Sequence, residues 1–252
     1  MDNPLSLQGK VILITGGAQG IGEATAQLCA ERGASVIVAD FNRERGEQAA
    51  EHIRGNGYQA DFIPADVRDD PQVRALFEAV QQRYGRLDGL VCAAGVLKGP
   101  YLQPEEFPVE MFEMVMNINI KGAFLCAKYA APMLESSGKG VVVVIASVAG
   151  VIAPSSSLAY GASKGGANGL GMTLANHLGP RNIRVNVLCP GNILTDMKLS
   201  VDIAQAEREG RSVEAAIEKA KQNYGVPEGV AHIIAFMLSN EADYLRGTLF
   251  TR

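Results

Sequence analysis

The stretch from Lys10 to Gly33 reads K-V-I-L-I-T-G-G-A-Q-G-I-G-E-A-T-A-Q-L-C-A-E-R-G, and its three parts decide the architecture. Lys10-Val11-Ile12-Leu13-Ile14-Thr15 is short, apolar and rich in branched residues, the pattern of a strand buried on both faces. Ile21 to Arg32 carries apolar residues at helical spacing and ends at Gly33, a suitable C-cap. Between them lies Thr15-Gly16-Gly17-Ala18-Gln19-Gly20-Ile21-Gly22. A glycine-rich turn between strand and helix lets the backbone approach a pyrophosphate, while the helix N-terminus offers unpaired N–H groups and partial positive charge. The spacing is G-x-x-x-G-x-G, not the G-x-G-x-x-G of the usual dinucleotide fingerprint, so the evidence is the strand-loop-helix context as much as the glycines.

The same alternation continues outward. Ala34 to Ala39 reads as a strand, Arg43 to Arg54 as a helix, and Phe62-Ile63-Pro64 closes a third strand. Pro71 to Tyr84 is helical with proline at its start, and Leu87 to Ala93 is a fourth strand. Pro108 to Leu134 reads as one long helix, Gly140 to Ala146 as a fifth strand, and Leu158 to Leu178 as another long helix. Ile183 to Leu188, the helix Pro227 to Leu238 and the short strand Thr248-Leu249-Phe250 complete the chain. Alternating strands and helices imply βαβ units with right-handed crossovers. The fold expected is therefore α/β: one Rossmann-type, doubly wound parallel sheet of about seven strands with helices on both faces. No repeat or linker interrupts it, so residues 1–252 are read as a single dinucleotide-binding and catalytic domain. The polar region 192–225, with short helices expected near Met197 to Glu209 and Ser212 to Asn223, sits at the carboxyl end of a strand, where a substrate lid would lie.

Composition excludes several function classes. With 20% charged and 47% apolar residues and a net charge of -4, the chain has no basic surface for nucleic acid. No segment approaches a membrane span, and the N-terminus lacks the basic-then-apolar order of a signal peptide, so a cytoplasmic location is expected. Cys29, Cys92, Cys126 and Cys189 have no C-x-x-C spacing and read as buried thiols. The histidines are scattered, so no metal site is expected.

Two further features carry chemistry. Asp40 ends the second strand about 20 residues beyond the glycine loop, where a carboxylate accepts hydrogen bonds from adenosine ribose hydroxyls and repels a 2′-phosphate. With Gln19 uncharged, this favours NAD over NADP, although Arg43 is near enough to weaken the preference. Tyr160 and Lys164 stand one helical turn apart on one face. A phenol titrates near pH ~10 in water, and a neighbouring ammonium lowers that value by favouring the phenolate. Taken alone, Y-x-x-x-K is a common chance pattern.

In order along the chain, these motifs make the sequence resemble the short-chain dehydrogenase/reductase family over essentially its whole length. Thr15 to Gly22 matches the family's T-G-x-x-x-G-x-G. The resemblance implies a cofactor site of Gly16, Gln19, Gly20, Ile21 and Gly22, with Asp40 and Phe41 at the adenosine ribose. It places Asp66 and Val67 at the adenine, and Ala93, Ala94 and Gly95 along the cofactor. Pro190-Gly191, with Ile193 and Thr195, would hold the nicotinamide carboxamide. It implies a catalytic tetrad of Asn119 (in N-I-K-G, with Asn117 the competing residue), Ser147, Tyr160 and Lys164. Ser147 would orient the substrate oxygen and Tyr160 would exchange a proton with it. Lys164 would lower the Tyr160 pKa and bind the nicotinamide ribose, and Asn119 would hold a water linking Lys164 to solvent. Cys92 stands where many members have an asparagine that tethers neighbouring strands, and relatives usually continue past Arg252 through a D-G-G turn.

The implied activity is NAD(H)-dependent interconversion of a secondary alcohol and a ketone. The expected substrate pocket is Ser147, Val148, Pro154, Leu158, Asn192, Met197 and Leu199, mostly apolar, suited to a sugar alcohol, cyclic alcohol or steroid-like molecule. A 3-oxoacyl thioester reductase is the nearest alternative and would go with NADPH. A non-catalytic dinucleotide sensor would tend to lose the tyrosine or lysine, both kept here; an epimerase or dehydratase would tend to be longer. The small and apolar residues of the helices at 108–134 and 158–178 imply, with the family, a homotetramer.

Overall fold

The computed structural model describes residues 5–251; residues 1–4 and 252, which the single-domain expectation and the reading of the N-terminus include, lie outside them. Seven strands form one parallel sheet in the order β3-β2-β1-β4-β5-β6-β7. They are β1 (Val11–Thr15), β2 (Ser35–Asp40), β3 (Ala60–Pro64), β4 (Gly89–Cys92), β5 (Gly140–Ile145), β6 (Ile183–Cys189) and β7 (Gly247–Phe250). Every residue of β1, β4, β5 and β6 is buried, which is why β1, β4 and β5 read as continuous apolar runs and not as alternating ones. Each fully buried Leu or Ile there contributes about 2 kcal/mol of hydrophobic stabilisation.

Helices α1 (Gly20–Glu31), α2 (Arg43–Gly55) and α9 (Pro227–Leu238) cover one face, packing Ala26, Ile53 and Ile234 onto Ile12, Val36 and Val143. On the other face lie α3 (Asp70–Tyr84), α4 (Val109–Met116), α5 (Gly122–Ser136) and α6 (Leu158–Leu178), where Leu76, Leu134 and Ala167 meet Leu13, Leu90 and Val142. Helices α7 (Asp196–Arg208) and α8 (Val213–Asn223) make up most of the 192–225 excursion, close to the bounds expected. All four cysteines are buried free thiols. Among the described residues no helix is long and apolar enough to cross a membrane.

One element differs in kind. The stretch expected as a single helix from Pro108 to Leu134 is α4 and α5 joined by a π turn over Asn117–Lys121. A π turn inserts a residue into the helical ladder and re-aims the side chains around it, a device frequent at functional sites. Here it buries Asn119.

The order of strands fixes where a ligand can sit. From β1 the chain moves outward to β2 and β3, then returns to place β4 on the other side of β1. At that reversal the two crossovers leave in opposite directions and open a crevice at the carboxyl ends of the strands.

Candidate active site

A cavity of about 1580 Å³ fills that crevice, and the glycine loop forms one wall. Gly16 has φ +68 and Gly20 φ +59, both left-handed. A Cβ on Gly16 would stand 2.6 Å from the Cα of Ala94, so this position needs glycine both for its conformation and for its approach to the loop after β4. Gln19 precedes α1 without any side-chain cap, leaving the first-turn N–H groups available to the cavity. A loop with no room for a side chain, ending on an uncapped helix N-terminus, fits the diphosphate of a dinucleotide.

Around this wall the carboxylates are fixed by backbone. Asp40, the buried last residue of β2, accepts from the Ala18 N–H at 3.2 Å through Oδ2 and from the Asn42 N–H at 3.0 Å through Oδ1. Arg45, which the sequence reading passed over, donates to Gln19 Oε1 and pairs with Asp196 at 3.8 Å, bridging the glycine loop to the start of α7. Asp66 lies just past β3 and accepts from Arg68 Nε at 2.9 and 3.0 Å, and this guanidinium holds its carboxyl below the usual range. The Thr15 hydroxyl donates to the Val91 carbonyl at 3.4 Å and accepts from the Ala94 N–H at 3.4 Å. Thr15 thus ties β1 to β4 beside Cys92, whose buried thiol makes one long contact to the Ala123 carbonyl at 4.0 Å.

The four residues expected to carry chemistry converge from two helices and one strand end. Ser147 follows β5; its hydroxyl is near enough to the Tyr160 phenol to act on its pKa, and it accepts from the Ala149 N–H at 3.1 Å. Tyr160 sits in the first turn of α6, whose N-cap Ser157 accepts from the Tyr160 N–H at 3.2 Å and donates to the Lys98 carbonyl at 2.6 Å. Lys164, 5% exposed, donates to the Ile145 carbonyl at 2.8 Å, its ammonium 5.6 Å from the centre of the Tyr160 ring. Asn119 lies behind the cavity wall. It accepts from the Val96 N–H at 2.8 Å and donates to the Val96 carbonyl at 3.0 Å and to the Ser163 hydroxyl at 2.8 Å. Ser163 in turn donates to the Tyr160 carbonyl at 2.8 Å, so Asn119 braces α6 against the loop after β4.

The electrostatics correct one expectation. The Tyr160 pKa is raised, not lowered: burial of the phenol dominates, and the bond from Ser147 pulls it down by less. The Lys164 ammonium donates to the Ile145 carbonyl, and burial lowers its own pKa to about 8. Desolvation acts on both groups against their charged forms.

Every residue expected at the cofactor lines the cavity, from Gly16 through Thr195. Of the expected substrate contacts, Ser147, Pro154, Asn192 and Met197 line it, and Val148, Leu158 and Leu199 do not. Val148 is turned into the backbone, its N–H on the Pro190 carbonyl at 3.0 Å and its carbonyl accepting from Ile152 and Ala153, each at 3.1 Å. Leu158 faces outward, 46% exposed. The sequence reading missed Tyr101 and Lys198, both on the cavity wall. Lys198 with Asp202 four residues on was a visible signal, but one that ordinarily marks a solvated helix pair.

Comparison with known proteins agrees with this geometry. A sequence model described as short chain dehydrogenase matches residues 10–206. The 3-oxoacyl-[acyl-carrier-protein] reductase FabG of Thermotoga maritima is 35% identical over 243 residues, 96% of this chain and 96% of that protein. The (+)-borneol dehydrogenase 1 of Salvia officinalis is 34% identical over 242 residues, covering 96% and 91%. The crystal structure of an NAD+-bound xylitol dehydrogenase superposes with a TM-score of 0.89 at 30% identity, covering 96% of this chain and 97% of that one. The chain belongs to the short-chain dehydrogenase/reductase family of oxidoreductases.

Proposed function

We propose that this oxidoreductase uses NAD(H) to interconvert a secondary alcohol and a ketone of a small molecule, with Tyr160 as the group that exchanges the proton. The observation that carries the reading is that Ser147, Tyr160 and Lys164 line the same cavity as a glycine loop suited to a diphosphate. Residues 16–22, 40–41, 66–67, 93–95 and 190–195 would hold the dinucleotide. When bound, it supplies the hydride chemistry. The protein's part is position and proton control. Ser147 donates to the substrate oxygen and orients it against the Tyr160 phenol. In reduction, the Oη proton of Tyr160 passes to that oxygen as the carbonyl carbon gains hydride; in oxidation the phenolate takes the hydroxyl proton back. A phenol pushed up by burial is protonated at neutral pH, so the free enzyme rests in the form that reduces, and oxidation gains with rising pH. Lys164 would bind the nicotinamide ribose and, with Asn119 and a water, return the proton to solvent.

Asp40 supports NAD, since its fixed carboxylate opposes a 2′-phosphate. A second reading, a 3-oxoacyl thioester reductase using NADPH, is favoured by Arg45, whose guanidinium lies beside Gln19, and by the likeness to the Thermotoga maritima reductase. Xylitol and borneol in the names of the relatives fit the first. The chain would act as one domain with α7 and α8 as its lid, in the cytoplasm, where four buried thiols suit a reducing compartment. Val109, Phe112, Phe124 and Met172, exposed on α4, α5 and α6, support a homotetramer, and sedimentation as a monomer at micromolar concentration would overturn it. A panel of secondary alcohols and ketones assayed with NAD and NADP in parallel tests the whole reading: it expects turnover with NAD at least tenfold more efficient, about 1.4 kcal/mol. Efficient NADPH turnover of acyl thioesters would replace it with the second.

A further inference from the structure

The substrate side of the cavity holds a charged group that the family's tetrad leaves without a task. Lys198, in the first turn of α7, lines the cavity. Its ammonium donates to Asp202 Oδ1 and to the Tyr224 hydroxyl, the latter at 3.1 Å. An ammonium has three protons, so one remains for a ligand. Asp202 is 9% exposed, and its Oδ2 has no partner among the described residues. Among the described residues, the only positive charge offsetting that carboxylate through a contact is Lys198, so the pair presents a polar but neutral group to the cavity. Burial opposes its charge, but the hydrogen bonds to Asp202 and Tyr224, with the carboxylate's charge, bring Lys198 above its ordinary pKa, so it is a donor throughout the neutral range.

Tyr101 completes the arrangement. It lines the same cavity, close enough to Lys198, Asp202 and Tyr224 for their charges to act on its phenol. Its backbone is left-handed, φ +65, a conformation rare for an aromatic residue, held by its N–H on the Ser156 carbonyl at 2.7 Å. Arg208 of α7 lies 5.6 Å from its ring centre. Among the described residues none hydrogen-bonds the Tyr101 hydroxyl. A strained backbone presenting an unspent phenol beside an ammonium with an unspent proton describes a recognition site, because strain persists where the surroundings enforce it.

We propose that Lys198 and Tyr101 recognise a second, uncharged oxygen on the substrate, a hydroxyl or carbonyl apart from the carbon that exchanges hydride. This rests on the alcohol–ketone reading above and narrows it to diols, polyols, hydroxyketones and diones. A carboxylate is disfavoured because Asp202 already neutralises the ammonium and would repel a second anion.

The test is a ratio of specificities with NAD, comparing cyclohexanol with its 1,2-, 1,3- and 1,4-diols and 2-pentanol with xylitol. The wild-type protein should favour at least one dioxygenated partner by about tenfold or more in kcat/KM, the worth of one hydrogen bond to a charged group. Lys198→Met should reduce that ratio toward one, chiefly through KM. The double variant Lys198→Met with Asp202→Asn, which leaves no buried unpaired carboxylate, should do the same if the single variant folds poorly, and Tyr101→Phe should lower the ratio by removing one oxygen. The proposal fails if the wild type shows no preference, if 3-hydroxycyclohexanecarboxylate outperforms every diol, or if the variants slow both members of a pair equally. Turnover of none of these alcohols would instead overturn the alcohol–ketone reading, and this inference with it.

Discussion

Lys164→Met should make the protein more stable at neutral pH. The native ammonium is buried, and burial lowers its pKa from 10.5 to about 8. A lysine whose folded pKa lies below its unfolded value destabilises the fold when charged. The penalty is absent above 10.5, grows as pH falls toward 8, and is fully in place below that. At 1.36 kcal/mol per pH unit the full penalty is about 3 kcal/mol, from which the loss of the bond to the Ile145 carbonyl removes about 1. Methionine, of similar length and without charge, should therefore gain about 2 kcal/mol at pH 7. The advantage should shrink by about 2 kcal/mol by pH 9.5, where the wild-type lysine has largely lost its proton. Urea unfolding of both proteins without cofactor, at pH 7 and at pH 9.5, measures this as a difference of differences in which every other titrating group cancels. A variant less stable than wild type at pH 7, or an advantage indifferent to pH, would refute the reasoning. It would mean that Lys164 keeps close to its ordinary pKa in the free protein, its charge well solvated there. Its place in the fold would then be structural, and its retention would need no catalytic explanation.

Two substitutions separate the loop that holds the cofactor from the frame that holds the loop. Gly16→Ala would force a side chain into the Ala94 backbone at a left-handed position; we expect a loss of about 2 kcal/mol or more in thermal unfolding. Fluorescence titration with NADH should show binding weakened beyond detection at millimolar concentrations. Arg184, buried near the start of β6, donates to the Met237 and Ser239 carbonyls at 2.6 and 3.1 Å and so closes the C-terminus of α9. Arg184→Met should cost about 2 kcal/mol in urea unfolding, tempered by Lys10, which also reaches this end at the Leu238 carbonyl. Its steady-state kcat and KM should stay at wild-type values, because β6 carries Arg184 at the end of the sheet away from the cavity.

What the sequence made legible was whatever depends on local pattern. Val11 to Gly22 states a buried strand, a turn only glycine can make, and a helix start, and the cavity wall is where those three meet. Asp40 was legible because it ends a strand about 20 residues beyond the glycine loop, whereas Ser147 was singled out only through the family resemblance. The π turn was not legible, since N-I-N-I-K has no residue that forbids an ordinary helix; only the packing of Asn119 between Val96 and Ser163 selects the wider turn. Val148 and Leu158 were misplaced because the loop after β5 folds back on itself through the Val148 carbonyl, a contact without a sequence signature. Lys198 and Asp202 were passed over because an i,i+4 pair carries no signal of the Tyr224 hydroxyl, just past α8, that bonds Lys198 at 3.1 Å. The sign of the Tyr160 shift was missed for a related reason: spacing gives the neighbour, but burial decides which form of the phenol survives.

Tyr160→Phe removes one oxygen from the cavity wall and leaves the ring, the helix and the glycine loop in place. If Tyr160 exchanges the proton, turnover of any alcohol or ketone that the wild type accepts should fall by about 10²-fold or more while NADH binding persists within a few-fold. Turnover surviving the change would contradict the account at its centre, because Tyr160 beside Ser147 on the cavity wall is the group assigned to take that proton.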